Sequence, residues 1–401
     1  MRERSVRQHS SYFVSFVPSR VVAILTWIVA RIHRCSLPVL GTLTDQLNDK
    51  MPLSAAQAAD AVRALVAEEF APEAKADFLC ALALKGETVD EIAAFAGELR
   101  KLSVQPELDV VTRTGEVLDV CGTGGDRLNT FNISTTVAIV AASAGVAVAK
   151  HGNRAITSQS GSADVLEALG IRVDLDPVQA ARSLREHQFA FFFAPNYHPA
   201  FKHIAPARKL CAQRGQRTIF NFLGPLLNPA RPTAQLIGVP RPELCEPVAR
   251  VLQALGARRG MVVCGSLESG VKQPMSAASN GAAFLDEFST FGDNHLAEFY
   301  QERGFHTSTF SPAQFPVQRG SLQDLVGGDR AANAEILKRI LRGEERGPKR
   351  DATLLNTSAA LLVANRVKSF SEGWELAVEL IDSGRAFKKL EGLTAAAHSQ
   401  R

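Results

Sequence analysis

The sequence lacks several features that would assign it to other protein classes. Its six cysteines form no Cys-x-x-Cys pair, so a zinc site has no support, and several lie in apolar runs typical of buried free thiols in a reducing compartment. The apolar run 21–30 is too short to span a membrane, which takes about 20 residues. A net charge of +4 on 401 residues does not by itself indicate nucleic-acid binding. We therefore expect a cytoplasmic protein with neither membrane nor nucleic-acid partners.

Residues 1–43 differ in composition from the rest of the chain. Arginines flank their apolar run, which superficially resembles the core of a signal peptide. No Ala-x-Ala cleavage site follows it, and His33, Arg34 and Cys35 stand there instead. We interpret this segment as an N-terminal extension that is disordered or forms an isolated helix.

The remaining length and pattern predict two unequal domains. Chains above about 250–300 residues usually divide into domains. Between residues 54 and 102, apolar residues at helical spacing predict three short helices with no strands between them. From Val117 onward strands and helices alternate, which indicates a mostly parallel central sheet flanked by helices. The fold class is therefore α/β with a small all-helical domain. The expected divisions are a helical domain over 44–112 with additional helices from about 199–222, an α/β domain over 113–198 and 223–394, and a tail over 395–401.

The stretch 118–169 contains two polar loops, each after an apolar run with strand character. A glycine-rich turn, 122–126, follows the first strand, and a helix is predicted from Ile133 through Ala144. The run 146–149 is the second strand, and the polar loop 150–154 follows it. In open α/β sheets ligands collect at the carboxyl ends of strands, where helix N-termini attract anions. The two loops are therefore predicted to face one anionic ligand.

The glycine turn is a weak signal when taken alone. It matches neither the Gly-x-Gly-x-x-Gly turn of dinucleotide-binding folds nor the Gly-Lys-Ser/Thr phosphate loop. Asn132 and Ser134, next to a helix start, are equally typical of helix caps. The second polar loop, with Lys150, His151 and Asn153, favours a ligand site.

Several ordered motifs occur together along the chain. They are GTGGD (122–126), NIST (132–135), KHGNR (150–154), SGSADVLEALG (160–170), HPA (198–200), IAPARKL (204–210), RTIFNFLGPLLNP (217–229) and LDE (285–287). Together they resemble the anthranilate phosphoribosyltransferase family over roughly residues 44–393. The resemblance implies transfer of phosphoribose from phosphoribosyl pyrophosphate to the amine of anthranilate, the second step of tryptophan biosynthesis from chorismate. It also implies Mg²⁺, with two ions, and a homodimer formed through the helical domain.

The same resemblance assigns roles to residues of this sequence. The phosphoribosyl pyrophosphate set is Gly122, Gly125, Asp126, Thr130, Asn132, Ile133, Ser134, Thr135, Lys150, Ser158 and Ser162. The anthranilate set is Gly122, His151, Asn153 and Arg208, and the metal set is Ser134, Asp286 and Glu287. The glycine N–H groups and the positive charge of Lys150 suit phosphate oxygens. The planar guanidinium group of Arg208 suits the carboxylate of anthranilate. No residue is assigned as catalytic with certainty, and His151 is the candidate for proton handling.

Two departures from the family pattern bear on this assignment. Arg127 follows the glycine turn where small residues are usual, so it either adds positive charge or crowds the loop. The stretch 266–283 is longer than the usual glycine-rich loop before Asp286. Two alternatives remain open, a non-catalytic nucleic-acid-binding relative and a pyrimidine-nucleoside phosphorylase. The KHGNR motif, Asn153 and Arg208 favour the transferase.

Overall fold

The computed structural model describes residues 39–155, 159–267, 284–301 and 303–399. Most of the predicted N-terminal extension, Ser158 of the phosphate set and residues 268–283 of the long stretch before Asp286 lie outside the described residues. Within the described ranges, no helix is both long and apolar enough to cross a lipid bilayer.

Four helices begin the described chain. They are α1 (Val39–Asn48), α2 (Ala55–Val66), α3 (Pro72–Lys85) and α4 (Val89–Lys101). The side chains of Ser54 and Thr88 cap the first turns of α2 and α4. Pro72 begins α3, where its missing N–H costs no hydrogen bond. The three predicted helices are therefore confirmed. Helix α1 begins at Val39, so the start expected for the helical domain, residue 44, falls inside a helix.

In the part of the chain that the structure describes, eight strands form one sheet. They are β1 (Val117–Gly122), β2 (Ala147–Gly152), β3 (Phe189–Phe193), β4 (Ala234–Gly238), β5 (Arg259–Ser266), β6 (Phe284–Leu285), β7 (Asn294–Tyr300) and β8 (Gly304–Phe310). Their order is β3-β2-β1-β4-β5-β7-β8, and β6 pairs with β5. The first five run parallel, and β6, β7 and β8 pair antiparallel. Gly122 of β1 lies in register with Gly238 of β4, so these carboxyl ends share one sheet edge.

Helices cover both faces of the sheet. In the α/β part they are α5 (Val110–Thr114), α6 (Ile133–Ser143), α7 (Ser162–Ala168), α8 (Pro177–His187), α9 (Ala194–Tyr197), α10 (Ala205–Gln213), α11 (Cys245–Ala254), α12 (Leu322–Leu325), α13 (Arg330–Leu341), α14 (Pro348–Val363), α15 (Phe370–Asp382) and α16 (Arg385–Ser399). One hydrophobic cluster joins α6, α7 and α13 to α16 with one sheet face. A second cluster joins α1 to α4, α10 and α11 with the opposite face, through Ile237 and Val262. The N-terminal helices therefore share a core with the sheet.

The structure differs from the sequence prediction in six elements. Strands β7 and β8 were not predicted, because neither is a continuous apolar run or a strict alternation: β7 mixes polar and apolar residues, and no side chain of β8 is fully buried. Helix α8 was missed because its sequence is mostly polar and buries few side chains. The short helix α5 lies between the last predicted helix, which ends by residue 102, and the strand that begins at Val117, and α16 extends into the tail expected from 395. Strand β2 continues through Gly152, so Lys150 and His151 belong to a strand rather than to a loop.

Candidate functional site

The glycine turn after β1 packs against the segment that carries Asp286. The N–H of Thr123 donates to the carbonyl of Gly238 at 3.0 Å, and the N–H of Gly124 donates to Oδ2 of Asp286 at 2.5 Å. Gly124 has a φ of 70°, a left-handed conformation that glycine adopts without strain. A Cβ on Gly122 would lie 2.9 Å from Oδ2 of Asp286. The glycines therefore let anionic oxygens approach the backbone closely.

The start of α6 brings the NIST motif to the same edge. Asn132 does not cap the helix, because its Oδ1 accepts from Nδ2 of Asn333 at 3.0 Å and its Nδ2 donates to the carbonyl of Ser160 at 3.4 Å. The capping alternative for Asn132 is therefore wrong. Thr135 is buried, and its Oγ1 has no hydrogen-bond partner among the described residues. Ile133 is fully buried and anchors the first turn.

Lys150 is a buried cation between β1 and α6. Its side chain is 1 % exposed, and its Nζ donates to the carbonyl of Val120 at 2.7 Å and to Oγ of Ser134 at 3.3 Å. Burial lowers the pKa of Lys150, and the neighbouring Asp119 carboxylate opposes that shift. An ammonium group and a helix N-terminus therefore meet at one point, which favours an anion there.

Asp119 in β1 ties this region to the GPLLNP segment. Its Oδ1 accepts from the N–H of His151 at 3.3 Å, and its Oδ2 accepts from Nδ2 of Asn228 at 2.8 Å. The same Asn228 amide donates to the carbonyl of Ala149 at 2.7 Å. Burial raises the pKa of Asp119 to about 6, although Lys150 and these donors lower it. The network holds the end of β2, and so Lys150 and His151, in position.

Three carboxylates gather beside the glycine turn. Oδ2 of Asp126 accepts from the N–H of Asp286 at 3.3 Å. Burial raises the pKa of Asp286 well above its usual value, and the nearby charges of Asp126 and Glu287 raise it further. Burial also raises the pKa of Glu287 to about 8, against the effect of Lys150.

This cluster fits a hard cation. A divalent ion would offset the repulsion between the buried carboxylates, and Mg²⁺ typically takes one or two carboxylates plus phosphate oxygens. Among the described residues, no three His, Cys, Asp or Glu side chains are arranged as a complete metal site. The remaining ligands would therefore come from a hydroxyl group or from substrate.

A column of rings links the end of β2 to α10. The His151 and His198 ring centroids are 5.3 Å apart, those of His198 and Phe201 are 5.3 Å apart, and those of Phe201 and Phe220 are 5.7 Å apart. The guanidinium carbon of Arg208 lies 5.5 Å above the centre of the Phe220 ring. A series of ring contacts therefore connects His151 with Arg208.

Both histidines are buried and present a free ring nitrogen. Burial lowers the pKa of His151 to about 3, and it lowers the pKa of His198 to about 4. Each ring bonds a backbone carbonyl, that of Gly224 and that of Leu227 respectively. Nε2 of each is buried and has no partner among the described residues. Both imidazoles are therefore neutral near pH 7, and each offers a lone pair to a ligand.

The other predicted residues have local contacts. Oδ1 of Asn153 accepts from the N–H of Arg154 at 2.8 Å, and Oγ of Ser162 donates to the carbonyl of Asn153 at 3.4 Å. Thr130 forms an isolated bridge with Val326, which places it at the start of the turn into α6. Arg127 has a φ of 58°, an uncommon left-handed conformation for a residue other than glycine.

The chain is similar to known proteins over both its helical and its α/β parts. The helical bundle domain of the glycosyl transferase family matches residues 41–103, and the a/b domain of that family matches residues 114–387. An anthranilate phosphoribosyltransferase of Petrotoga mobilis is 47% identical over 314 residues, which is 78% of this chain and 84% of the relative. The chain belongs to the anthranilate phosphoribosyltransferase family. Its function is accordingly that of a glycosyltransferase of tryptophan biosynthesis.

Solved structures of this family share the fold. The anthranilate phosphoribosyltransferase of Thermus thermophilus has a TM-score of 0.77 at 38% identity, covering 89% of this chain and 99% of that one. The enzyme of Saccharomyces cerevisiae, solved in complex with PRPP and Mg, has a TM-score of 0.75 at 26% identity, covering 90% and 98%. The helical and mostly parallel α/β architecture predicted from the sequence is therefore confirmed.

Some residues that build the site carried no separate role in the sequence analysis. Asp119 stands inside an apolar strand, where a carboxylate is unusual, and that position was the available signal. His198 and Phe220 lie in the HPA and RTIFNFLGPLLNP motifs, which resemble the family but show no chemistry in their spacing. Their grouping depends on contacts between segments distant in the chain.

Proposed function

We propose that this member of the family transfers the phosphoribosyl group of 5-phosphoribosyl 1-pyrophosphate to the amine of anthranilate, with release of pyrophosphate. The observation that carries the proposal is the meeting of the buried Lys150 ammonium, the N-terminus of α6 and the Asp286–Glu287 pair at one sheet edge. The C1–O bond of the sugar breaks as pyrophosphate leaves with its electron pair, and the amine nitrogen forms the new bond to C1 and then releases one proton to pyrophosphate or solvent. The departing group is highly charged, so electrostatic stabilisation supplies much of the catalysis.

The sugar diphosphate would bind between the glycine turn and α6. Gly122, Gly125 and Asp126 would form one side of this pocket, and the N–H groups of the turn suit phosphate oxygens. Lys150 would supply the positive charge. The hydroxyl and amide side chains of Thr130, Asn132, Ser134, Thr135, Ser158 and Ser162, with the first turn at Ile133, would complete the set. The unpartnered Oγ1 of Thr135 supports this role.

Anthranilate would bind along the aromatic column beside Gly122. Arg208 would hold its carboxylate through a two-pronged contact, and Asn153 would border the ring. The free Nε2 of His151 would accept a hydrogen bond from the amine. Because burial lowers the pKa of His151 to about 3, it is a weak proton acceptor, and we assign it a positioning role.

Magnesium would bind at Asp286, Glu287 and Ser134, and we propose two ions. The support is the crowding of buried carboxylates next to a phosphate pocket. When bound, the metal would neutralise pyrophosphate as it departs. The yeast relative was solved with PRPP and Mg, and another crystal of it with 4-fluoroanthranilate.

The test measures loss of anthranilate fluorescence with phosphoribosyl pyrophosphate and Mg²⁺. Arg208→Ala is expected to raise the KM for anthranilate by roughly 10- to 100-fold, since charged hydrogen bonds contribute about 1.5–3 kcal/mol. The KM for phosphoribosyl pyrophosphate should stay nearly constant. Arg214→Ala is the matched control, because that arginine follows the same helix and pairs with the exposed Asp77 at 2.7 Å. An unchanged anthranilate KM in Arg208→Ala removes Arg208 from the site.

The same preparation separates the alternatives. Phosphorolysis of a pyrimidine nucleoside without anthranilate turnover would establish the phosphorylase. Salt-dependent binding of random DNA without turnover would establish the nucleic-acid-binding relative.

We also propose a homodimer formed through the helical domain. Leu84 and Leu102 there are 66% and 42% exposed, which supports an interface. Light scattering should give twice the mass of 43.2 kDa. A cytoplasmic location, and the absence of membrane and nucleic-acid partners, stay predictions.

A further inference from the structure

A second cavity lies behind the glycine turn. It has a volume of about 340 Å³, and we call it the arginine cavity. Thr123 and Gly125 of the turn form part of its wall, but Lys150, Ser134, Asp286 and Glu287 do not line it. Its other polar lining side chains are Gln216, Arg217, Thr218, Asn221, Arg241 and, on the helical wall, Glu87. The cavity is therefore distinct from the phosphate pocket while sharing the turn with it.

The arginine cavity carries an excess of positive charge. Burial lowers the pKa of Arg217, and the neighbouring charges of Arg241 and Arg127 lower it further. Within the described ranges, no carboxylate forms an ion pair with the Arg217 side chain. Arg241 reaches Glu243 at 3.4 Å, yet that carboxylate is 64% exposed. Like charges this close cost free energy unless an anion joins them.

An unsatisfied donor points to the same conclusion. Nε of Arg241 is buried and has no hydrogen-bond partner among the described residues. A buried N–H without a partner costs about 1–3 kcal/mol, and more on a charged group. A phosphate or carboxylate oxygen would satisfy this donor, and guanidinium groups match the geometry of both anions.

The rest of the wall sets the size and character of the ligand. Ile92, Leu244 and Val248 line the cavity on the side of α4 and α11. An apolar wall opposite two guanidinium groups suits a small anion with a modest apolar part. A Cβ on Gly125 would lie 2.8 Å from Cγ of Pro240, another lining residue, so the turn packs tightly on this cavity.

We propose that the arginine cavity binds a small phosphate- or carboxylate-bearing anion through Arg217 and Arg241, separately from the phosphoribosyl pyrophosphate pocket. This site goes beyond the proposed transferase function and does not depend on it. Because its ligand touches the back of the glycine turn, occupation of the two sites is coupled through that turn.

The test uses the full chain without anthranilate, phosphoribosyl pyrophosphate or Mg²⁺. Inorganic phosphate and benzoate are titrated separately at constant ionic strength, and the rise in unfolding temperature gives an apparent Kd. The double variant Arg217→Gln/Arg241→Gln should weaken binding of at least one probe by about tenfold or more. The control Arg182→Gln/Arg214→Gln removes two exposed charges that pair with Glu186 and Asp77, and it should bind as wild type does.

Lys150→Gln separates the two sites. Lys150→Gln disables the phosphate pocket. Probe binding that remains in Lys150→Gln but is lost in the double variant therefore occurs in the arginine cavity. Complete loss in Lys150→Gln, or wild-type binding in the double variant, overturns the proposal. If the double variant fails to fold, Arg241→Gln alone is used, because Arg241 lies on a half-exposed turn. This variant should still weaken probe binding severalfold, and an unchanged Kd in it also overturns the proposal. Failure of the transferase assay leaves this outcome unaffected.

Discussion

The two buried histidines that meet edge to face should each make a pH-dependent contribution to stability. His151 and His198 are buried, and their pKa values fall to about 3 and about 4 from a usual 6.5. Between pH 6.5 and pH 4 these two imidazole groups are therefore protonated in the unfolded chain and neutral in the folded chain. The contribution of these two histidines to the free energy of unfolding therefore falls as the pH decreases through that window.

The size of the effect follows from the pKa of His198. One pKa unit corresponds to 1.36 kcal/mol, so a depression from 6.5 to about 4 removes roughly 3 kcal/mol of unfolding free energy by about pH 4. His198→Gln eliminates this titration, and the side-chain amide of the introduced glutamine can still donate a hydrogen bond to the carbonyl of Leu227. The free energies of unfolding of wild type and variant should therefore converge by roughly 3 kcal/mol between pH 7 and pH 4.

Urea unfolding at half-unit pH steps measures both curves. His306→Gln is the control, because His306 is exposed on β8, and its curve should run parallel to wild type. Parallel curves for His198→Gln and wild type would refute the assignment of a buried neutral imidazole.

Two further predictions concern the carboxylates and the sheet edge. Asp286→Asn with Glu287→Gln should abolish Mg²⁺-dependent turnover, and retained turnover would reject the metal site. The same double change should raise the melting temperature of the metal-free protein, since it removes two carboxyl groups whose ionised forms are disfavoured by burial and by neighbouring carboxylates. An unchanged or lower melting temperature would reject that cost. Gly238→Ala should lower the unfolding free energy by roughly 1–3 kcal/mol, because its Cβ would lie 1.6 Å from the carbonyl oxygen of Asp286. Gly392→Ala, in a helix with nothing within 4 Å, should instead be neutral or stabilising, and equal effects of the two would contradict the packing argument.

Elements with a strong local pattern were predictable. The parallel strands β1 to β5 are buried on both faces, so they read as continuous apolar runs such as 189–193. Strands β7 and β8 lie at the antiparallel side of the sheet, and β8 alternates exposed with half-buried side chains. Their mixed polarity is equally typical of a surface loop. Strand β7 pairs with the distant β5, for example Asn294 with Gly265, and β8 pairs with β7.

The sequence by itself determined which chemical groups are available and the order in which they occur: a glycine turn after a strand, a lysine in the next strand, a carboxylate pair much later. Local backbone preferences and hydrophobic periodicity are properties of neighbouring residues, so a single chain displays them. The tertiary structure alone decided that Asp286 would meet Gly124, that Asn228 would bond Asp119, and that rings from three segments would stack between His151 and Arg208. It also decided the protonation of these groups, because burial depends on what the rest of the fold places around a side chain.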